Sequence, residues 1–233
     1  MSTFKRGIMA ESSFQAVIFD MDGLIVDTEN IYYNTFNQTL NDHGVTIPRE
    51  GYVRCVGHPV ADNSADAVER YKLPISPEEF LTTWMNRFET AISDPDQIQL
   101  MPGFLDLLAH IRNKKYRLGI ASSTPRHRML TTLRNGVLPH LKGANLTDIF
   151  GAIFSGSDVT KTKPDPEIYL KAASALNVLP QNCAVFEDSV AGVASGKAAG
   201  MTVFAVPNFF TAHQNHTPAD RILKNLTEAI PLL

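Results

Sequence analysis

The 233-residue chain is 44% hydrophobic and 19% charged, ordinary proportions for a globular protein and against extended disorder. A formal net charge of −3 and a pI of about 6.2 argue against nucleic acid or an anionic membrane as the main partner. No apolar run reaches the ~20 residues of a membrane helix, and two cysteines, Cys55 and Cys183, make neither a disulfide framework nor a zinc site, which points to a reducing, cytoplasmic setting.

Residues 1–13 carry Lys5 and Arg6 but no apolar segment, so they do not read as a signal peptide and are expected to form a disordered tail. Ala16-Val17-Ile18-Phe19 then reads as a strand, giving way at Asp20-Met21-Asp22-Gly23 to a glycine loop. Residues two apart share one side of a strand, so just past its end both acids can turn toward one pocket. Two crowded carboxylates imply a cation, a shared proton, or both.

From about Asn30 to Gln99 the pattern is helical only, as expected of a domain inserted between the first strand and its helix. Ser76-Pro77-Glu78-Glu79 supplies a helix N-cap, a proline at the first helical position and a capping-box glutamate. Phe80, Leu81, Trp84, Met85 and Phe88 follow as an apolar stripe, with Trp84 read as core.

After the insert, strands are expected at Arg117–Ala121, Ala152–Phe154, Cys183–Phe186 and Thr202–Val206, their continuous hydrophobicity indicating burial on both faces. Helices open at Pro102, with Phe104, Leu107, Leu108 and Ile111 facing inward, and at Pro166, with Ile168, Leu170, Ala173 and Leu176 inward; a third runs from near Val190 to Gly200. Strand and helix in alternation predict a parallel, doubly wound α/β sheet. The basic runs Arg112–Lys115 and Arg126–Arg128 read as solvated helix ends. Gly192-Val193-Ala194-Ser195-Gly196-Lys197-Ala198 is one residue short of a P-loop and lacks its hydroxyl. His213 and His216, without a third ligand nearby, read as surface histidines.

Ligands of an open parallel sheet bind beyond the carboxyl ends of its strands. Here those ends carry Asp20 and Asp22, then Ser122-Ser123-Thr124, then Asp158 and Lys163-Pro164, then Glu187-Asp188.

That ordered set resembles the haloacid dehalogenase (HAD) superfamily, in the capped phosphatase branch that includes β-phosphoglucomutases, phosphoglycolate phosphatases and pseudouridine-5′-phosphatases. Asp20-Met21-Asp22-Gly23 looks like its first motif, Ser122 its second, Lys163 its third and Glu187-Asp188 its fourth. The resemblance implies a Rossmann-like α/β core over residues 14–29 and 98–233, with a small helical cap over residues 30–97. It also implies Mg2+-dependent hydrolysis of a small phosphorylated metabolite, a sugar, polyol or nucleoside monophosphate, through an aspartyl-phosphate. Asp20 would be the nucleophile and Asp22 the general acid and base, with Ser122 and Lys163 on the phosphate. Mg2+ would sit on Asp20, the Asp22 carbonyl, Asp188 and Glu187. Substrate contacts would come from Gly23, Ser123 and Arg126, with His127 at the rim, and on the cap side from Glu29, Tyr32, Tyr33, Gly57 and His58.

An acid at position 22 sets the chain apart from the dehalogenases and the phosphonate-cleaving branch. The mutase alternative is disfavoured because Tyr32 and Val60 stand where mutases carry a histidine and a phosphate-gripping arginine. A rival of another class, a regulatory protein that binds a phosphometabolite without turnover, would be expected to lack catalytic groups, and none is missing. A monomer or weak homodimer, without nucleic acid or membrane, completes the expectation.

Overall fold

The computed structural model describes residues 14–233, so the tail expected over residues 1–13 lies outside the described part. Six strands form one sheet: β1 (Ala16–Phe19), β2 (Arg117–Ala121), β3 (Ala152–Phe154), β4 (Cys183–Glu187), β5 (Thr202–Ala205) and β6 (Arg221–Ile222). Their order is β3-β2-β1-β4-β5-β6, and every neighbouring pair is parallel. The first five were expected. The two residues of β6 are both exposed at the sheet edge, where no apolar pattern marks them.

Helices α1 (Thr28–Asn41), α2 (Arg49–Tyr52), α3 (Val60–Tyr71) and α4 (Pro77–Ser93) follow β1. Then come α5 (Phe104–Asn113), α6 (Arg126–Gly136), α7 (Leu146–Ile149), α8 (Glu167–Ala175) and α9 (Val190–Ala198). Alternate residues of the central strands feed two apolar layers, as the two-residue period of a strand requires. Val17, Phe19, Ala184 and Phe186 pack with α5 and α6, while Ala16, Ile18, Cys183 and Val185 pack with α8 and α9. Both cysteines are buried and unpaired, and burial pushes each thiol up to about 11.

Of the inward stripe expected on α8, Ile168, Ala173 and Leu176 are buried and Leu170 is exposed; Tyr169 and Ala172 complete the buried face instead. Tyr169 can be buried because its hydroxyl has a buried carboxylate to bond, a partner no local pattern reveals.

The insert has an apolar cluster of its own, built on Phe36, Leu40, Tyr52, Phe80 and Trp84. Trp84 is fully buried and its indole N–H donates to the Tyr32 carbonyl at 3.1 Å. Ser76 caps α4 by accepting from the Glu79 amide at 3.2 Å. The second half of α4 (Phe88, Ala91, Ile92) turns instead into the main core. The two crossings between insert and core run side by side: the Asp27 amide donates to the Gln99 carbonyl at 2.9 Å and the Met101 amide to the Ile25 carbonyl at 2.8 Å. Among the described residues no helix is long and apolar enough to cross a membrane.

Candidate active site

Sheet register assembles the site. Phe19 lies level with Ile120 on β2 and Phe186 on β4, so Asp20 and Glu187 leave the sheet at the same height and Ser122 one residue later. Beyond β1 the chain folds back tightly, the Met21 carbonyl accepting from the amides of Leu24, Ile25 and Val26. Gly23 makes this possible, with φ of +69° and no room for a side chain: a Cβ there would sit 2.6 Å from Asp188 and 2.5 Å from Asn208.

Lys163 ties the acids together. Its Nζ donates to Asp20 Oδ1 at 2.5 Å, to Glu187 Oε1 at 2.6 Å and to the Ala121 carbonyl at 2.8 Å, with only 5% of its side chain exposed. Burial alone would lower the lysine's pKa, but Asp20 and Glu187 outweigh burial and raise it, so the ammonium is permanent. Asp20, Glu187 and Asp188 offer carboxylate oxygens all within 4.8 Å of one another. Burial pushes Asp20 and Asp188 well above the usual carboxylate range, and mutual repulsion with Glu187 adds to this, against a downward pull from Lys163.

Three buried carboxylates and one ammonium leave an excess of negative charge made entirely of oxygen donors, which suits a hard divalent cation. Asp20 Oδ2 and Asp188 Oδ1 accept no hydrogen bond among the described residues, so each has an oxygen to offer.

The family profile of haloacid dehalogenase-like hydrolases matches residues 17–206. The chain belongs to that family. It is 32% identical over 187 residues to a phosphorylated carbohydrates phosphatase of Thermotoga maritima, covering 80% of this chain and 82% of that one. It is also 32% identical over 225 residues to a probable pseudouridine-5′-phosphatase of Drosophila melanogaster, covering 92% and 90%. A crystal structure of a putative β-phosphoglucomutase from Thermotoga maritima superposes with a TM-score of 0.78 at 27% identity, covering 94% and 98%. This HAD-like hydrolase is a phosphoric monoester hydrolase.

Several side chains of the HAD-like hydrolase stand differently from expectation. Ser122 donates to Asp22 Oδ2 at 2.9 Å rather than standing free, and Thr124 donates to the same oxygen at 2.8 Å. The Gly23 amide, expected beside the substrate, donates to the Val26 carbonyl at 2.8 Å. Ser123 is exposed at the rim. Tyr33 faces the interior of the insert, its hydroxyl on the Ile47 carbonyl and its ring beside Tyr52 and Phe210; neighbouring positions on a helix point about 100° apart, so Tyr32 and Tyr33 cannot both face the pocket. Tyr32 stacks on Phe88 with centroids 3.9 Å apart; burial, with Asp22 adding to it, raises its hydroxyl pKa, while Arg128 pulls it down.

Gly57 and His58 occupy an exposed loop tip held by Asn63, whose side chain donates to the Cys55 and His58 carbonyls. Arg126 is turned to Asp158 at 3.0 Å and His127 to Glu89 at 3.3 Å, both exposed. Arg128, taken with them for a solvated helix end, is instead largely buried: it bonds Glu89 of the insert at 2.5 Å and approaches Tyr32. His216 is buried rather than on the surface, its Nε2 against the Thr211 carbonyl, and among the described residues it belongs to no cluster of metal-binding groups.

Tyr169, Thr124 and Asn208 are site residues beyond those expected. Tyr169 donates to Glu187 Oε1 at 2.5 Å, and Asn208 donates to Asp188 Oδ2 at 2.8 Å. Gly192 belongs here too: in place of phosphate binding, it leaves room for the Glu187 carboxylate, which a Cβ would overlap.

Glu29 faces the same interior, and burial, with Asp22 and Asp27 adding to it, raises its carboxyl from 4.5 to about 8. A folded-state value above the unfolded one means that the folded protein keeps a proton the unfolded chain has lost. Stability therefore falls as pH rises through about 4.5 to 8. In metal-free protein, Glu29→Gln should melt like wild type near pH 5 and several degrees higher by pH 9 in a thermal scan. An offset that does not change with pH would contradict the assignment.

Proposed function

We propose that this chain is a divalent-cation-dependent phosphatase of a small phosphorylated metabolite, a sugar, polyol or nucleoside monophosphate, with residues 30–97 acting as a cap and Asp20 carrying the phosphoryl group. The observation that carries the reading is Asp20 fixed by Lys163 at 2.5 Å with a second acid, Asp22, on the adjoining loop. A phosphorylated carbohydrates phosphatase and a probable pseudouridine-5′-phosphatase among the relatives support the substrate class.

In this reading an Asp20 oxygen attacks phosphorus while the ester P–O bond breaks, and Asp22 gives its proton to the departing alkoxide. Asp22, then ionised, takes a proton from water as the water oxygen attacks the aspartyl-phosphate, releasing Asp20 and inorganic phosphate. With Oδ2 of Asp22 held by the two hydroxyls, Oδ1 is the oxygen left to carry the proton. Lys163 pulls Asp20 toward its ionised form, against the effect of burial, and offers positive charge to the transferred group. Asp20, Asp188, the Asp22 carbonyl and Glu187, directly or through water, would hold Mg2+, which supplies neutralisation of charge on the phosphoryl oxygens. Tyr169 and Lys163 already engage Glu187, which favours the water-mediated role for that residue. The setting is cytoplasmic and the enzyme a monomer or weak homodimer, which fits two free, buried cysteines.

The test is release of inorganic phosphate from a panel of phosphorylated sugars, polyols and nucleoside monophosphates, dependent on Mg2+ and stopped by chelation. Asp22→Asn is expected to slow alkyl phosphates by ~10²–10⁴-fold and p-nitrophenyl phosphate by less, since that leaving group needs little proton donation. Equal losses on both would remove Asp22 from the acid role. Hydrolysis is preferred over mutase chemistry because Tyr32, at the position of the mutase histidine, lies flat on Phe88 and offers no base. Glucose 6-phosphate formed from β-glucose 1-phosphate and its bisphosphate would reverse that choice.

A further inference from the structure

The loop after β5 makes two contacts that no catalytic role accounts for. Asn208 at its start is a saturated clip. Its side-chain NH2 donates to the Gly23 carbonyl at 3.0 Å and to Asp188 Oδ2 at 2.8 Å, and its Oδ1 accepts from the amides of Phe210 at 2.8 Å and Thr211 at 3.2 Å. It thus joins the loop after β1 to the acid after β4. Gln214 adds a second tie to the same region, accepting from the Val190 amide at 3.0 Å.

Two residues later the loop leaves the core. Phe210 is 1% exposed and belongs to the insert's apolar cluster, its ring 6.0 Å from Tyr52 and 6.4 Å from Tyr33. Arg49 of the insert lies over both Phe209, at 4.6 Å, and Phe210, at 5.0 Å. A residue of the core is therefore packed as a member of the insert's interior, and its own amide is held by the side chain that orients Asp188.

We propose that Asn208 is a positioning residue for the Asp188 carboxylate, and that the insert sets Asn208 through Phe210, so that cation affinity and docking of the insert are linked. This rests on the reading of Asp188 as a metal ligand. Groups that orient a ligating carboxylate typically change metal affinity ~10–100-fold when removed. Linkage is reciprocal, so whatever loosens the insert's hold on the loop must also loosen the cation.

Mn2+ serves as probe, its free concentration read by EPR during titration of wild type, Asp188→Ala, Asn208→Ala, Phe210→Leu and Phe80→Leu. Phe80 is a fully buried ring of the same cluster whose ring partners are Phe36 and Trp84, not the loop. Expected are a ~10-fold weaker Kd for Asn208→Ala, a smaller but clear weakening for Phe210→Leu, and wild-type affinity for Phe80→Leu despite a comparable fall in Tm. Should Asn208→Ala not fold, Phe210→Leu against Phe80→Leu decides. Wild-type affinity in Asn208→Ala or Phe210→Leu overturns the proposal, and so does equal weakening by Phe80→Leu, which would mean general softening. Undiminished Mn2+ binding by Asp188→Ala would instead overturn the metal reading itself.

Discussion

Asp20→Asn is expected to lower phosphate release by about four orders of magnitude or more on every substrate, because the nucleophile and one cation-facing oxygen disappear together. The same change should leave the fold intact. Asp20 is buried among Glu187, Asp188 and Lys163, and burial already holds its carboxyl well above the usual range. A neutral residue of the same shape therefore removes repulsion from the two other acids as well as attraction to Lys163. Steady-state release of phosphate and a thermal scan on the same preparation check both halves. Acid quenching of wild type with 32P-labelled substrate should trap label on protein, and Asp20→Asn should trap none. Retention of even a tenth of the activity would remove Asp20 from the nucleophile role.

The second large effect is expected from Lys163→Met, which removes the only ammonium bonded to the buried acids among the described residues. Breaking a buried pair by deleting one partner typically costs ~3–5 kcal/mol, because the remaining charge has neither water nor counter-charge. Here two partners are stranded, Asp20 and Glu187, with Asp188 beside them. Without the lysine's downward pull the folded-state pKa values of Asp20 and Asp188 rise further above the unfolded ones. The folded variant then binds protons that the unfolded chain does not, so its stability declines steeply as pH climbs above the ordinary carboxylate range. In EDTA, the Tm deficit of Lys163→Met should be smallest near pH 5 and widen toward pH 8, and added Mg2+ should recover part of it by binding the folded form. Activity should fall ~10³-fold or more at every pH, as expected when a transition-state charge partner is removed. A deficit independent of pH and of Mg2+ would mean that the lysine contributes packing rather than charge.

How much of this was legible before the fold was seen follows from where each signal lies. Strands β1 to β5 were readable because Ala16 to Phe19 and Cys183 to Glu187 are buried on both faces and so carry unbroken apolar sequence. The principal acids, Ser122 and Lys163 were readable because the sheet's own geometry places strand ends at a common rim. What escaped was set by approach in three dimensions. Tyr169, Thr124 and Asn208 act through polar atoms reaching residues 18 to 185 positions away, and nothing local distinguishes them from a core tyrosine, a loop threonine or a turn asparagine. Arg128 was lost in a basic run whose other two members do lie at the surface. The same limit applied to His216, which is buried by a loop whose path only tertiary packing fixes.

The side-by-side crossings near Asp27 and Gln99 have an evolutionary consequence. Because the helical segment departs and returns through backbone groups bonded to each other, it is topologically a graft at one point. Exchanging it for another segment would keep β1, Asp20 and the sheet in one continuous frame, provided that the newcomer's ends lie adjacent and that it covers the core surface now packed by Phe88, Ala91 and Ile92 and the ring of Phe210. The strand ends that carry the acids then keep their places while the surface facing them changes.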